Sequence, residues 1–469
     1  MSSGIYIVQI YYGVNDMKIL IFGTGKIYQE LKNRIRADVE MVGFLDNDEK
    51  KQGRLLDGKK IYPPREALYL DYDIIFLMCY YHADMREQLI QMGIDDNIIF
   101  DINRPYTVLN RKEAMIYGNI NKFHNKLIVL FSHSLTSTGA QNVLYQAALL
   151  MKENNYDVIV ISREDGIQRA KYLTADIPII ICEDILSENE LLDELIRKAY
   201  LIWINTLWLY YIADYFKNTS VKATWWIHEA SSIRDVSSRV FRGIAASSNV
   251  QILSVSSLVD ENLWDLYGKD IRIRRLLFGL KDYYGFKRNN VNSKEKIILA
   301  CIGGISNSKG QDILIDAIDG IPDDIKAKIR VWIIGSGSLD EHYSCIIQRN
   351  ECIEWMGEID NSKMPEIYEA LDGVVCCSRQ ESMSVAVAEA CMNRKFSIVS
   401  DGAGISRLLQ DKKNALLFQS ENINGLQEKI IWVINNLEQA RNLGQMSRKL
   451  YDQYFTMDIF ERNLKGYIT

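Results

Sequence analysis

The stretch GVVCCSRQESMSVAVAEACM, from Gly373 to Met392, decides the fold. Gly373 to Cys377 is a short apolar run rich in β-branched and small residues, the pattern of a buried parallel strand. Ser378 to Ser384 is a polar loop, and Val385 to Met392 then reads as a helix built on alanine and valine. A strand, a short loop and a helix start leave unpaired backbone N–H groups at the strand's carboxyl end, where a diphosphate can sit on the helix N-terminus. Two carboxylates bracket that place. Glu381 lies in the loop and Glu389 about two turns into the helix, so one can reach a sugar and the other a ribose. On the residues alone, Glu381 as a charge at the helix start and Glu389 as a solvated surface residue remain an equal alternative.

The same alternation extends outward in both directions. Strands at Ile297 to Ile302, Arg330 to Ile334, Ile353 to Met356 and Phe396 to Ser400 accompany Gly373 to Cys377, and helical patterns lie between them. An earlier series begins at Leu127 to His133 and continues near Asp157 to Ser162, Ile177 to Cys182, Leu201 to Asn205, Ala223 to His228 and Gln251 to Val255. Before both, Met17 to Gly23, Val39 to Leu45, Asp73 to Met78 and Asn97 to Phe100 outline a smaller unit. Strands alternating with helices imply doubly wound parallel sheets with ligands beyond the strands' carboxyl ends. The expected fold is therefore α/β, with two Rossmann-like lobes facing a cleft and a small Rossmann-like domain before them. The expected boundaries are 1–105 for the small domain, 106–125 for a linker, 126–280 for the first lobe and 281–450 for the second. A C-terminal helix over 451–469 is expected to cross back to the first lobe.

Composition narrows the function classes. With 469 residues, 48% hydrophobic and 25% charged, the chain reads as an ordinary globular protein. A net charge of -6 without any long Lys/Arg block argues against a nucleic-acid partner. The 8 cysteines are scattered through apolar segments without a C-x-x-C pair, and they read as reduced core residues. Neither a signal-type N-terminus nor a run long enough to span a membrane is visible, so the expectation is a cytoplasmic protein, with contact at the membrane's inner face left open.

With Glu381 and Glu389 separated by seven residues, the loop and helix resemble the signature of retaining glycosyltransferases of family 4, whose fold is GT-B. The resemblance covers Leu127 to about Leu464. Gly303-Gly304-Ile305-Ser306-Asn307-Ser308-Lys309-Gly310 resembles the segment that opens the family's donor lobe, and it implies that Lys309 is the diphosphate cation. Ile333-Ile334-Gly335-Ser336-Gly337-Ser338 resembles the loop bordering the nucleotide, and Ile353 to Ile359 the strand near the nucleobase, which assigns Gly335, Gly357 and Glu358 to the donor site. Two departures stand out. Gly304 occupies the position where the family usually places an arginine, and Ser382 and Ser384 replace the usual glycines around Met383. Arg379, Met383, Ser384 and Val385 complete the expected donor contacts, with Arg379 a candidate second cation.

In the first lobe, His133 to Ala140 matches the family's glycine-containing loop, with Gly139 allowing close approach of a diphosphate or acceptor. His228, at the end of the strand Ala223 to His228, matches the histidine close to the reacting sugar; a hydrogen-bonded structural histidine is the plainer alternative. The resemblance implies transfer of a glycosyl group from a UDP- or GDP-sugar with retention, with His228, Glu381 and Lys309 as the catalytic set. No cofactor and no metal are expected, and the acceptor is expected to be a glycan or lipid-linked molecule. No residue is marked as a covalent nucleophile, which favours a front-face route. A catalytically silent binding or scaffolding partner of another transferase is the alternative, and a homo-oligomer is also left open.

The small N-terminal unit offers several decoys. Gly23-x-Gly25 with Asp46 beyond it approaches a dinucleotide fingerprint, but Tyr28 stands at the third glycine. Phe44 to Asp48 resembles the N-terminal unit of bacterial sugar acyltransferases. Tyr28 and Lys32 have a Tyr-x-x-x-Lys spacing on the first helix, and Asp46-Asn47-Asp48 and Asp71-Tyr72-Asp73 read as turns. Docking, oligomerisation or acceptor presentation is the expected role. Finally, Ile233, Val236, Val240 and Ile244 form an apolar stripe beside Arg234, Arg239 and Arg242, which suits either a membrane surface or the lobe's own sheet. The basic run Arg272 to Arg288 carries the same two readings.

Overall fold

The computed structural model describes residues 17–79, 82–102, 108–110, 113–120, 123–183, 190–230, 236–284 and 296–469. Three sheets organise them, and each follows from runs of β-branched residues that are buried on both faces. The N-terminal unit contains β1 (Met17–Phe22), β2 (Val39–Leu45), β3 (Leu55–Leu56), β4 (Lys59–Tyr62), β5 (Ile74–Leu77) and β6 (Ile99–Asp101), in the order β3-β4-β2-β1-β5-β6. All its pairings are parallel except that of β3 with β4. Tyr28 is buried against Phe44 with ring centroids 4.8 Å apart, and its hydroxyl donates to Asp57 at 2.7 Å. Lys32 meets the same carboxylate at 3.0 Å, so the Tyr-x-x-x-Lys pair is a structural clasp.

The middle sheet comprises β7 (Met115–Tyr117), β8 (Leu127–Ser134), β9 (Asp157–Glu164), β10 (Ile179–Ile181), β11 (Ala199–Asn205), β12 (Ala223–Ile227), β13 (Val250–Ser254) and β14 (Arg274–Arg275). Its order is β14-β13-β12-β11-β8-β9-β10-β7, parallel throughout except for the edge strand β7. That strand lies inside the stretch read from sequence as a linker. Three residues without alternation gave too short a pattern to be seen as a strand.

The last sheet holds β15 (Ile297–Ile302), β16 (Ile329–Ile334), β17 (Ile353–Gly357), β18 (Gly373–Cys376), β19 (Phe396–Ser400) and β20 (Leu416–Phe418). All are parallel, in the order β17-β16-β15-β18-β19-β20. Here the chain reverses direction of growth between β15 and β18, which opens a crevice at their carboxyl ends.

The C-terminal helix Met457–Ile468 leaves this lobe and packs on the middle one. Phe460 is 1% exposed and stacks on Trp226 with centroids 6.1 Å apart, while Tyr467 donates to the Arg275 carbonyl at 3.0 Å. Burying such a phenylalanine contributes about 2–3 kcal/mol, so the helix clamps the two lobes together.

The helix Ser238–Ala245 shows where the apolar stripe goes. Val236 and Ile244 are buried with Phe241 in the lobe's own core and Val240 is half-buried against it, so the described part of the stripe packs on the lobe's own sheet. Ile233 and Arg234 lie outside the described residues, as does the end of the basic run at Arg288. Among the described residues no helix is long and apolar enough to cross a membrane. The cysteines are free thiols and mostly buried, but Cys345 is exposed, on a helix whose outer face reaches solvent. Asp46 and Asp73 serve local structure, accepting from Thr24 and from the Lys18 amide respectively.

Candidate active site

The loops after β15, β19 and β20 meet the loop after β18. The turn after β15 ends at Gly310, whose φ of +69° is left-handed. A Cβ there would come within 2.2 Å of the Cys377 carbonyl, so the chain presses its backbone onto the end of β18 and only glycine fits. This approach carries Lys309 across to Glu381, and the two form an ion pair. Ser378 donates to the other carboxylate oxygen at 2.6 Å. Burial opposes charge on the Lys309 amine, but the Glu381 carboxylate outweighs it and holds the amine above its ordinary value. Behind the pair lies a small cavity lined by Cys301, Gln311, Val375 and Cys376.

Glu381 is fixed by backbone as well. Its N–H donates to the Gly402 carbonyl at 3.0 Å, and its own carbonyl accepts from Gly404 at 2.8 Å. Ser384 precedes the helix Val385–Met392 with φ of +86°, a conformation that favours glycine and strains a side-chain-bearing residue. Met383 and Ser384 are buried, and Val385 is half-buried at the helix start.

Glu389 is not an exposed surface residue. It sits half-buried near Tyr368, and burial raises its carboxyl to about 7 against the opposing effect of the Tyr368 hydroxyl. Arg379 takes a different place from the one expected of a diphosphate cation. Its guanidinium is forked on Asp312 at 2.9 and 2.6 Å, and also reaches the Asn307 carbonyl at 2.8 Å and Glu421 at 2.9 Å. Those contacts commit it to bracing the loop against the helix Gln311–Asp319, because two carboxylates satisfy its planar fork.

The neighbouring loops are held equally closely. Gly335 has φ of +153°, and a Cβ there would lie 2.0 Å from the Gly303 carbonyl. Its N–H donates to the Gly357 carbonyl at 2.8 Å, which lines up the ends of β15, β16 and β17. Gly304 is roomier: a Cβ would meet only the Ser336 carbonyl, at 3.6 Å. Gly357 has φ of +68° and Glu358 beside it is exposed.

The first lobe presents its own carboxyl edge. Gly139 opens the helix Gly139–Glu153 with nothing within 4 Å of an added Cβ. His228 follows β12, its ring 4.5 Å from that of Trp226, and its carbonyl accepts from the Ser382 hydroxyl across the cleft. That contact joins the donor loop to the first lobe. Burial, then the nearby His133, lowers the His228 imidazole to about 3, and burial, then Arg163, lowers His133 to about 4. Both rings are therefore neutral at physiological pH.

His133, Thr206 and Glu229 belong to this cluster, although only His228 stood out in the sequence. Nδ1 of His133 lies 3.1 Å from the Thr206 hydroxyl, and Gln141 reaches the same ring at 3.1 Å. Glu229 accepts from the Leu207 N–H at 2.7 Å and the His228 N–H at 3.1 Å, and burial raises its carboxyl to about 7. His133 is the last residue but one of β8 and His228 directly follows β12, so the strand-end argument applied to one could have found the other. Thr206 carried no such signal; its φ of +82° is legible only in three dimensions.

This arrangement places a cation, helix-start N–H groups and the Glu381 carboxylate on one side of a cleft, and imidazoles kept neutral by burial on the other. It suits a dianionic leaving group facing an uncharged nucleophile. Comparison with known proteins agrees with the fold. Residues 285–450 match the model described as glycosyl transferases group 1, residues 124–273 match glycosyl-transferase family 4, and residues 15–100 match C2185-like, N-terminal. An uncharacterized glycosyltransferase of Methanocaldococcus jannaschii is 28% identical over 155 residues, 33% of this chain and 42% of that protein. The poly(ribitol-phosphate) alpha-N-acetylglucosaminyltransferase of Staphylococcus aureus is 25% identical over 34% of each chain. The chain spans less than half the length of the curated relatives it matches. Among solved structures, Anabaena HepE in complex with UDP and glucose superposes with a TM-score of 0.62 at 15% identity, covering 74% of this chain and 99% of that one. Sucrose-phosphate synthase from Thermosynechococcus elongatus gives 0.59 at 17% identity, covering 73% and 98%.

Proposed function

We propose that this chain, a member of the glycosyltransferase superfamily with the GT-B fold, moves a sugar from a nucleoside-diphosphate sugar to a glycan or lipid-linked acceptor with retention of configuration. The observation that carries the reading is the convergence of Lys309 and Glu381 at the start of the helix Val385–Met392, facing His228 across the cleft. HepE, of similar fold, is described with UDP and glucose, and UDP- and GDP-sugars are accordingly the donors proposed here.

In this reading the donor diphosphate lies over the helix start, and its charge draws Lys309 away from Glu381. The freed Glu381 carboxylate then accepts from the donor sugar's hydroxyls, and Glu389 from the ribose. As the bond from the anomeric carbon to the diphosphate oxygen lengthens, Lys309 and the helix N–H groups stabilise the growing negative charge. The acceptor oxygen approaches on the same face, and its proton passes to the departing diphosphate oxygen. Neutral His228 accepts or donates a hydrogen bond at the reacting sugar without placing a competing positive charge beside it. No step requires a resident cofactor, and Lys309 with the helix start takes the place of a metal. The role of second cation falls away from Arg379, whose bonds to Asp312 and Glu421 hold the loop in shape. Gly335, Gly357 and Glu358 border the nucleotide, and Gly139 the acceptor. The work is placed on the cytoplasmic side, in synthesis of a surface polysaccharide or glycolipid.

Proton NMR of the purified product tests the stereochemistry. An axial-donor sugar delivered with its anomeric coupling preserved agrees with the reading, and an inverted coupling sinks it. A silent binding partner is the second reading, favoured by Gly304 standing where an arginine is usual; donor binding without any turnover in the NMR assay is its signature.

A further inference from the structure

The N-terminal unit is docked, and its position is specific. Arg163, at the end of β9, donates to the Ile102 carbonyl at 3.2 Å. Glu183, just beyond β10, is forked by Arg34 at 2.9 and 2.5 Å. Tyr210, just beyond β11, stacks on His82 with centroids 6.5 Å apart, and Arg239, beyond β12, lies 3.9 Å from Asp96. These four contacts fall at or after the carboxyl ends of strands β9, β10 and β11 and on the helix that follows β12, along the edge on which a parallel sheet receives its ligand. The unit therefore sits beside His133, Thr206 and His228, on the acceptor side of the cleft.

The dock is built from charge. His82 and Asp101 are each 4% exposed, and Arg86 is held by Asp96 at 2.6 Å and the Ile99 carbonyl at 2.7 Å. The Arg34–Glu183 and Arg86–Asp96 pairs are part-buried and tolerate little displacement, since a lost partner leaves a charge uncompensated away from bulk water. Backbone pairing reinforces it: the Asn110 N–H donates to the Arg34 carbonyl at 2.7 Å, and the chain then runs to β7 on the middle sheet. Arg163 faces both ways, since it bonds the N-terminal unit and its charge acts on His133 in the cleft. Between Thr206 and Tyr210 the short turn Leu207–Leu209 presents Trp208, which is 40% exposed. An indole left in solvent at a ligand edge is suited to the apolar C–H face of a pyranose ring, because its flat surface is apolar and its N–H can still reach water.

We propose that the acceptor is a pyranose-bearing glycan that stacks on Trp208 and is walled by the docked N-terminal unit, which is thus part of the acceptor site. The inference rests on the glycosyl-transfer reading. The test uses the full chain, with UDP-glucose and the other UDP- and GDP-hexoses as donors. Octyl glycosides of glucose, galactose, mannose and N-acetylglucosamine serve as acceptor probes. Nucleoside diphosphate release is followed with and without each glycoside, and calorimetry gives the affinity for UDP and GDP.

At least one glycoside is expected to stimulate release in the parent protein. Arg34→Glu lowers that stimulation at least about tenfold with nucleotide affinity unchanged, and the swapped pair Arg34→Glu/Glu183→Arg restores it. Trp208→Ala raises the glycoside KM by about tenfold or more, whereas Trp208→Phe keeps most of it. Stimulation that survives both Arg34→Glu and Trp208→Ala overturns the proposal, as does a parent protein that hydrolyses donor but responds to no glycoside. Absence of any nucleotide binding or donor hydrolysis would instead count against glycosyl transfer itself.

Discussion

Lys309 and Glu381, 72 residues apart in sequence, form a part-buried ion pair at the carboxyl edge of the last sheet. Each thus neutralises the other before any ligand arrives, and under the proposed donor reading a diphosphate must exchange with Glu381 for the lysine. Lys309→Ala leaves the Glu381 carboxylate unpaired and removes the leaving-group cation; Glu381→Gln keeps shape but loses charge. Donor turnover is expected to fall by about 100-fold or more in the first and about tenfold or more in the second, measured as kcat for nucleoside diphosphate release. If the pair is merely structural, both substitutions lower thermal stability and leave kcat per folded molecule intact.

Gly304 leaves room that the lobe does not use. A Cβ at this position would touch only the Ser336 carbonyl at 3.6 Å, and no left-handed φ is required. Gly304→Arg is therefore expected to fold normally and to lower the donor KM by about fivefold, as a second cation reaches the diphosphate. Gly335→Ala is the contrasting case. Its Cβ would lie 2.0 Å from the Gly303 carbonyl at a positive φ, so a loss of about 2 kcal/mol or more in chemical denaturation is expected.

Ser384 holds φ of +86° at the start of the helix Val385–Met392. Ser384→Gly relieves that strain and is expected to stabilise the protein by about 1 kcal/mol in urea titration, with turnover retained. Ser384→Val, with a β-branched side chain at the same angle, should be less stable than the parent. A parent more stable than the glycine variant would show that the hydroxyl matters more than the backbone.

Burial holds the Glu389 carboxyl at about 7, above its ordinary value of 4.5. The folded protein thus keeps a proton that the unfolded chain releases, so this contribution to stability is present below about pH 4.5 and lost as pH rises through about 7. Glu389→Gln removes the loss, and its stability advantage over the parent should grow from about pH 5 to about pH 8. If Glu389 receives the ribose hydroxyls, as proposed, its charged form is the stronger acceptor. Calorimetric UDP affinity is accordingly expected to tighten more steeply between about pH 6 and about pH 8 in the parent than in Glu389→Gln, where only the ionisation of UDP itself remains. Equal pH slopes in the two proteins would place Glu389 away from the ribose.

Much of this fold is legible in sequence because its strands are buried on both faces. Runs such as Leu127 to Phe131 and Ile329 to Ile334 leave a strong signal, and Gly310 and Gly335 mark turns that only glycine can make. What stayed hidden depends on distant contact. Arg379 beside Glu381 looks like a cation for phosphate until Asp312 and Glu421 are brought to it by folding. Glu389 on an alanine-rich helix allows a solvated reading until Tyr368 closes over it. β7, β14 and β20 are too short for periodicity, and the strained Thr206 has nothing in its neighbours to announce it.

The most direct test of the donor site is nucleoside diphosphate release from a panel of UDP- and GDP-sugars by the parent protein and by Lys309→Ala, Glu381→Ala and Arg379→Ala. The account predicts turnover of at least one donor by the parent, a fall of about 100-fold or more in the lysine and glutamate variants, and a loss in the arginine variant that tracks its lowered stability. Unchanged turnover in both Lys309→Ala and Glu381→Ala would contradict it.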